Sequence, residues 1–149
     1  MKRHNSLIEL SKEHHQGLIT AQLVKKNAPD YNSLPSDCES KQNFVLSFWK
    51  DELQKHFWKE EKILIPEISG VDKQLDKLTK QVLEEHQLIE KILMELKQAE
   101  NLESNLDKFG NALDNHIRFE EREWFEQIQE TFSNDQLNKI KKEIEDTSL

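Results

Sequence analysis

Apolar residues recur at spacings of three and four along almost the whole chain, the period of helices with one buried stripe. No stretch alternates in twos as a strand would. The first stripe, Leu7, Leu10, His14, Leu18, Ala21 and Val24, predicts a helix from about Ser6 to Lys26, closed before Pro29. A polar connection over 28–39 follows, holding Pro29, Asn32, Pro35 and Asp37, and a loop of that length is uncommon unless it has a role or covers something. A second helix, about Ser40 to Ile65, turns Val45, Trp49, Glu52, His56, Glu60 and Ile63 inward, and Pro66 ends or kinks it. Beyond Gly70, the seam Leu75, Leu78, Val82, His86, Ile89, Leu93 and Leu96 predicts a third helix from about Asp72 to Ala99. A fourth begins near Asn105 and sets Leu106, Phe109, Leu113, His116, Glu120 and Trp124 on one face. In the tail over 133–149, Ser133-Asn134-Asp135 caps a short fifth helix, Gln136 to Glu145. Four long amphipathic helices joined mostly by short turns predict an all-α, antiparallel up-down four-helix bundle with a short C-terminal helix. At 149 residues the chain makes one domain with room for a real core.

Histidine and glutamate on the inward stripes need an explanation, because an unpaired buried polar group costs about 1–3 kcal/mol. The sequence His56-Phe-Trp-Lys-Glu60-Glu61 has a counterpart sixty residues on, His116-Ile-Arg-Phe-Glu120-Glu121. Residues four apart on a helix share a face, so each copy aims an imidazole and a carboxylate at one point. His86 lies on the third seam. The pair His14-His15 lies on the first helix, where the stripe favours His14 and turns His15 about 100° away. A lone buried histidine is ordinarily a satisfied core residue, but histidines on all four stripes, near mid-helix, can meet in one layer. Bound cations would neutralise the carboxylates and fix the imidazoles. Imidazole and carboxylate without thiolate suit iron, manganese or zinc. The set exceeds the four ligands of a structural zinc site, and two carboxylates at matched positions suit bridging two ions. Two iron ions are the expected cofactor, with zinc or manganese as substitutes.

Composition narrows the alternatives. With 35% apolar and 34% charged residues, each helix has one buried face and a solvated back. A net charge of -8 argues against nucleic acid as a partner. No run of eighteen apolar residues spans a membrane, and the N-terminus does not read as a signal peptide. The single cysteine, Cys38, forms no internal disulfide, which suits the cytoplasm. No nucleophile constellation or glycine-rich phosphate loop offers a competing site.

Through His14-His15, His56-x-x-x-Glu60-Glu61 with Leu64-Ile65-Pro66, His86 and His116-x-x-x-Glu120-Glu121, the chain resembles the hemerythrin-like family of HHE cation-binding domains. The resemblance covers the four long helices. It implies a non-haem di-iron centre with oxo or hydroxo and carboxylate bridges. Glu60 and Glu120 would bridge, and His14 or His15, His56, His86 and His116 would be terminal ligands. The sequence departs from the oxygen-carrying members on the third helix, where they have His-x-x-x-His. Here Val82 stands four before His86 and Glu90 four after it, where its oxygen could serve instead. On the last helix Glu120 and Glu121 follow His116 where those members have a later Asp.

The function expected is a metal-binding protein that binds or senses iron, oxygen or nitric oxide, with O2, NO or peroxide as the small ligand. The alternative is a small di-iron enzyme that consumes peroxide or nitric oxide or donates iron for repair. Trp49, Trp58, Trp124 and Tyr31 would then offer electron exits, and Glu52 a proton donor. A binding or sensing role is favoured over an enzyme.

Overall fold

Capping side chains set the helix boundaries. Residues 2–98 and 100–147 are described by the structure, a computed structural model. Helix α1 runs Asn5–Val24, opened by His4, whose Nδ1 accepts from the Ser6 N–H. It ends two residues short of expectation because Lys25 turns extended and Asn27 takes a positive φ of 63°. Helix α2 covers residues 38–68 and begins earlier than expected, at Cys38, because Asp37 caps it through the Ser40 N–H. Helix α3 is Lys73–Leu96, capped by Asp72; the expected end at Ala99 lies outside the described residues. Helix α4 covers residues 102–131, opening three residues earlier than expected behind Asn101 in the left-handed region. Helix α5 is Asn134–Asp146, with Ser133 and Gln136 forming a reciprocal capping box.

Pro66 does not end α2; the helix continues through it to Ile68. Immediately before it, Glu60–Leu64 forms a π-helical turn, in which the Ile65 N–H bonds to the Glu60 carbonyl. The wider turn has already interrupted the regular ladder that Pro66 would otherwise break. Two more such turns occur, Trp49–Leu53 in α2 and Glu120–Trp124 in α4. The first adds a residue to its turn and shifts the helix phase. Glu52, expected inward, is exposed, and Leu53 and Phe57 are buried instead.

Ties between neighbouring helices climb one helix while descending the other. Along α1 and just beyond it, His14, Lys25 and Lys26 meet Glu120, Asp114 and Asp107. Gln42 and His86 tie α2 to α3 through the Leu96 carbonyl and Glu61. His116, Trp124 and Gln127 tie α4 to Glu85, Thr79 and Asp72. At Gly110 of α4 a Cβ would come within 2.6 Å of the Ala21 carbonyl, so glycine permits the close approach of α1.

The core is two apolar slabs with a polar layer between them. One slab holds Ala21, Val45, Phe57, Ile89, Phe109 and Leu113. The other holds Leu10, Leu64, Val82, Trp124 and, from α5, Leu137, Ile140 and Ile144. The tail is therefore part of the core. No helix among the described residues is long and apolar enough to cross a membrane.

Candidate metal centre

The helical period brings six of the seven predicted residues into the polar layer. His14, His56, Glu60, His86, His116 and Glu120 are all buried, the two glutamates completely. They form two groups of four, His14, His56, Glu60 and Glu120, and Glu60, His86, His116 and Glu120. Within each group one donor atom per residue lies within 4.8 Å of the others. The groups share both glutamates. His15 is exposed on the outer side of α1, in a shallow groove beside Ile19 and Tyr31, and does not join them. Glu90 is also exposed and supplies no oxygen, while Val82 is buried in an apolar slab.

The imidazoles point their Nε2 atoms at the shared carboxylates. His14 lies 2.8 Å from Glu120 and His86 3.0 Å from Glu60. The same-helix pairs His56–Glu60 and His116–Glu120 lie at 3.2 and 2.9 Å. In those two pairs the facing atoms, His56 Nε2, Glu60 Oε2, His116 Nε2 and Glu120 Oε2, make no hydrogen bond although they are buried. Four orphaned polar atoms converging in one buried layer are the donor set a cation would satisfy. Both π-helical turns of this region start on the shared glutamates, Glu60 and Glu120.

Each Nδ1 is held by a carboxylate from a neighbouring helix. Glu13 of α1 accepts from His56 of α2 at 2.9 Å, and Glu61 of α2 from His86 of α3 at 2.7 Å. Glu85 of α3 accepts from His116 of α4 at 2.6 Å, and Glu121 of α4 from His14 of α1 at 2.6 Å. The ring closes on itself. With Nδ1–H donated outward, each Nε2 is aimed inward, the arrangement that orients metal-binding histidines. Aromatic rings fix the imidazole planes, Phe57 stacking on His86 at 3.8 Å and Phe125 on His14 at 5.6 Å.

Charge follows geometry. Burial disfavours the imidazolium at His86, but the carboxylates of Glu120, Glu60 and Glu61 prevail and push its pKa up to about 11. Burial is likewise overcome at His116, where Glu120 and Glu85 raise the pKa to about 9. Burial is overcome at His14 by Glu120 and Glu121, and at His56 by Glu60, Glu120 and Glu13, and both imidazoles are raised. Glu120, whose burial alone would raise its pKa, is instead held well below the usual carboxylate range by His116, His14 and His56.

The sequence reading gave no role to Glu13 or Glu85 and left Glu61 and Glu121 undecided. Their signal was adjacency: Glu13 and Glu85 directly precede His14 and His86, and Glu61 and Glu121 directly follow the inward glutamates. A helix neighbour of an inward residue is rotated about 100° and so faces the next helix.

A family model, the hemerythrin HHE cation-binding domain, matches residues 6–128, from the first turn of α1 to near the end of α4. The chain belongs to the hemerythrin HHE family. Comparisons with curated proteins and with solved structures gave no match. In this HHE domain the buried His/Glu cluster fits a metal-cation site. A cavity of about 340 Å³ adjoins it, lined by His14, His56 and His116 and by Gly17, Phe48, Leu113 and Ile117. Asp51, Glu52 and Lys55, all exposed, line its outer part.

Proposed function

We propose that this HHE domain is an antiparallel four-helix bundle holding two iron ions, and that it binds or senses iron, oxygen or nitric oxide in the cytoplasm. The observation that carries the reading is the pair of four-residue groups sharing Glu60 and Glu120. Each group would hold one ion through two imidazoles and the shared carboxylates, His14 with His56 and His86 with His116. Single carboxylates reaching both groups favour two ions over one. Bound iron would supply reversible coordination of a small ligand or one-electron chemistry with it. The chain's own residues do the rest. Glu13, Glu61, Glu85 and Glu121 fix the imidazoles, and Phe57, Phe125 and the two apolar slabs pack around them, leaving the cavity beside His14, His56 and His116 as the approach.

Anaerobic loading of the metal-free protein with ferrous iron, followed by counting metal per chain, tests this directly. Two irons are expected, with His56→Ala and His116→Ala each falling below two irons per chain and melting at lower temperature. Two irons retained in both variants would remove the ligand assignment. Optical spectra before and after oxygen, and then nitric oxide, separate reversible binding from irreversible oxidation.

A second reading, a small di-iron enzyme consuming peroxide or nitric oxide, draws support from the cavity. Its volume falls in the range of small-molecule pockets and exceeds what a diatomic ligand fills. Catalytic loss of hydrogen peroxide or nitric oxide by the iron-loaded protein, over many turnovers, would favour it.

A further inference from the structure

The two groups of ligands match in their imidazoles and shared glutamates but differ in what stands behind them. Behind His14 and His56, both outer carboxylates carry a cation. Arg3 donates from Nη2 to Glu121 at 3.2 Å, and Lys59 Nζ lies 3.0 Å from Glu13. Both cationic side chains are largely buried, 16% and 13% exposed, so solvent screens them little. Arg3 is further pinned by the Glu121 carbonyl and by Gln129, and lies over the Phe125 ring.

Behind His86 and His116 the backing is different. Among the described residues neither Glu61 nor Glu85 has a lysine or arginine nitrogen within ion-pair distance. Glu85 accepts from His116 on one oxygen and from the neutral amide of exposed Gln81 on the other, at 2.9 Å. Lys62, next to Glu61, is exposed and attracts it only from beyond ion-pair distance, while Glu90 adds another carboxylate near Glu61. In direct contact, a largely buried cation sits on each outer carboxylate of the first pair, shared at longer range with Glu126 at 3.8 Å and Glu9 at 3.9 Å, and among the described residues none sits on those of the second. A carboxylate already neutralised by a cation also draws the imidazole proton less strongly, and so makes that imidazole a poorer donor to a metal.

We propose that the two metal positions are unequal: the one between His86 and His116 fills first and holds its ion more tightly, because Arg3 and Lys59 neutralise the carboxylates behind the one between His14 and His56. This rests on the two-ion reading above. Two cations seated on the backing carboxylates of one position, several ångströms from its dication in a partly buried layer, separate the dissociation constants by about tenfold or more. The half-loaded protein is then a distinct state over a range of metal concentration. Its exchangeable ion sits beside His14 and His56, both of which line the cavity.

Cobalt(II) titration of the metal-free protein, followed by visible absorption and calorimetry, tests the ordering. Repulsion between two bound ions would itself spread the steps, so single-position variants are compared. His56→Ala, which leaves His86 and His116 intact, is expected to bind its one ion about tenfold or more tightly than His86→Ala binds its own. In the full-length chain, Lys59→Gln is expected to tighten the weaker step and leave the tighter one unmoved, with Lys59→Arg behaving as the unaltered protein. Should a histidine variant lose its helical circular dichroism, the Lys59 pair decides alone. Equal affinities in the two histidine variants, or a weaker step that ignores Lys59→Gln, would overturn the ordering while leaving the two-ion reading intact. Fewer than two ions in the unaltered protein would overturn both.

Discussion

An imidazole held at Nδ1 by a carboxylate offers Nε2 in a fixed direction, and here all four buried histidines are held that way. The outer carboxylates therefore carry a share of the site's affinity although none points into the layer. Glu13→Gln and Glu85→Gln keep an acceptor but remove the charge, and each is expected to weaken metal binding about 10–100-fold. His15→Ala, one residue from a ligand but on the outer face, is expected to leave the metal content unchanged. Competitive titration against a chelator of known affinity measures both. A ligand-like loss at His15 would mean that α1 sits in another rotation.

Among the elements, the helices that carry the shared glutamates are the irregular ones. A π-helical turn starts on Glu60 and another on Glu120, each adding a residue where inward carboxylate and outward-reaching carboxylate stand side by side. That local widening also lets α2 run through Pro66. The α1–α4 contact depends on a different local property, the missing side chain of Gly110. Its Cβ would face backbone, the Ala21 carbonyl at 2.6 Å, which cannot swing aside as a side chain can. Gly110→Ala is expected to destabilise the fold by about 1–3 kcal/mol, seen as a lower midpoint in chemical denaturation. An unchanged midpoint would mean that the helices separate at no cost.

For the molecule as a whole, the metal-free state and the loaded state should answer pH in opposite directions. An unfolded histidine gives up its proton near 6.5, whereas folded His116 and His86 hold theirs to about 9 and about 11. The folded chain thus binds more protons across that window, and its stability falls as pH rises from about 6.5 towards 9 and beyond. Below 6.5 this contribution is fully present. Metal displaces the same protons, so its own stabilisation grows over the range in which the metal-free protein weakens. Melting curves of both forms between pH 6 and 9 should diverge, and parallel curves would exclude proton–metal competition at these imidazoles. The tail matters at this scale too. Leu137, Ile140 and Ile144 complete the slab that includes Leu7 and Ile68. Truncation after Phe132 is expected to cost on the order of a few kcal/mol, read as a lower melting temperature.

The sequence by itself determined the helices, most of their buried stripes and five of the six residues that meet in the polar layer, leaving His14 and His15 as alternatives for the sixth. Periods of three and four, and an i to i+4 His–Glu spacing, are properties of one helix and are written in one stretch of chain. What the tertiary structure decided lies between helices. It separated His14 from His15, turned Glu52 and Glu90 outward, and gave Glu13, Glu61, Glu85 and Glu121 their imidazole partners on adjacent helices. It also set Arg3 and Lys59 behind one pair of histidines and not the other. Those assignments depend on how neighbouring helices are rotated and where a π-helical turn shifts their phase, and packing fixes both only when the whole core assembles.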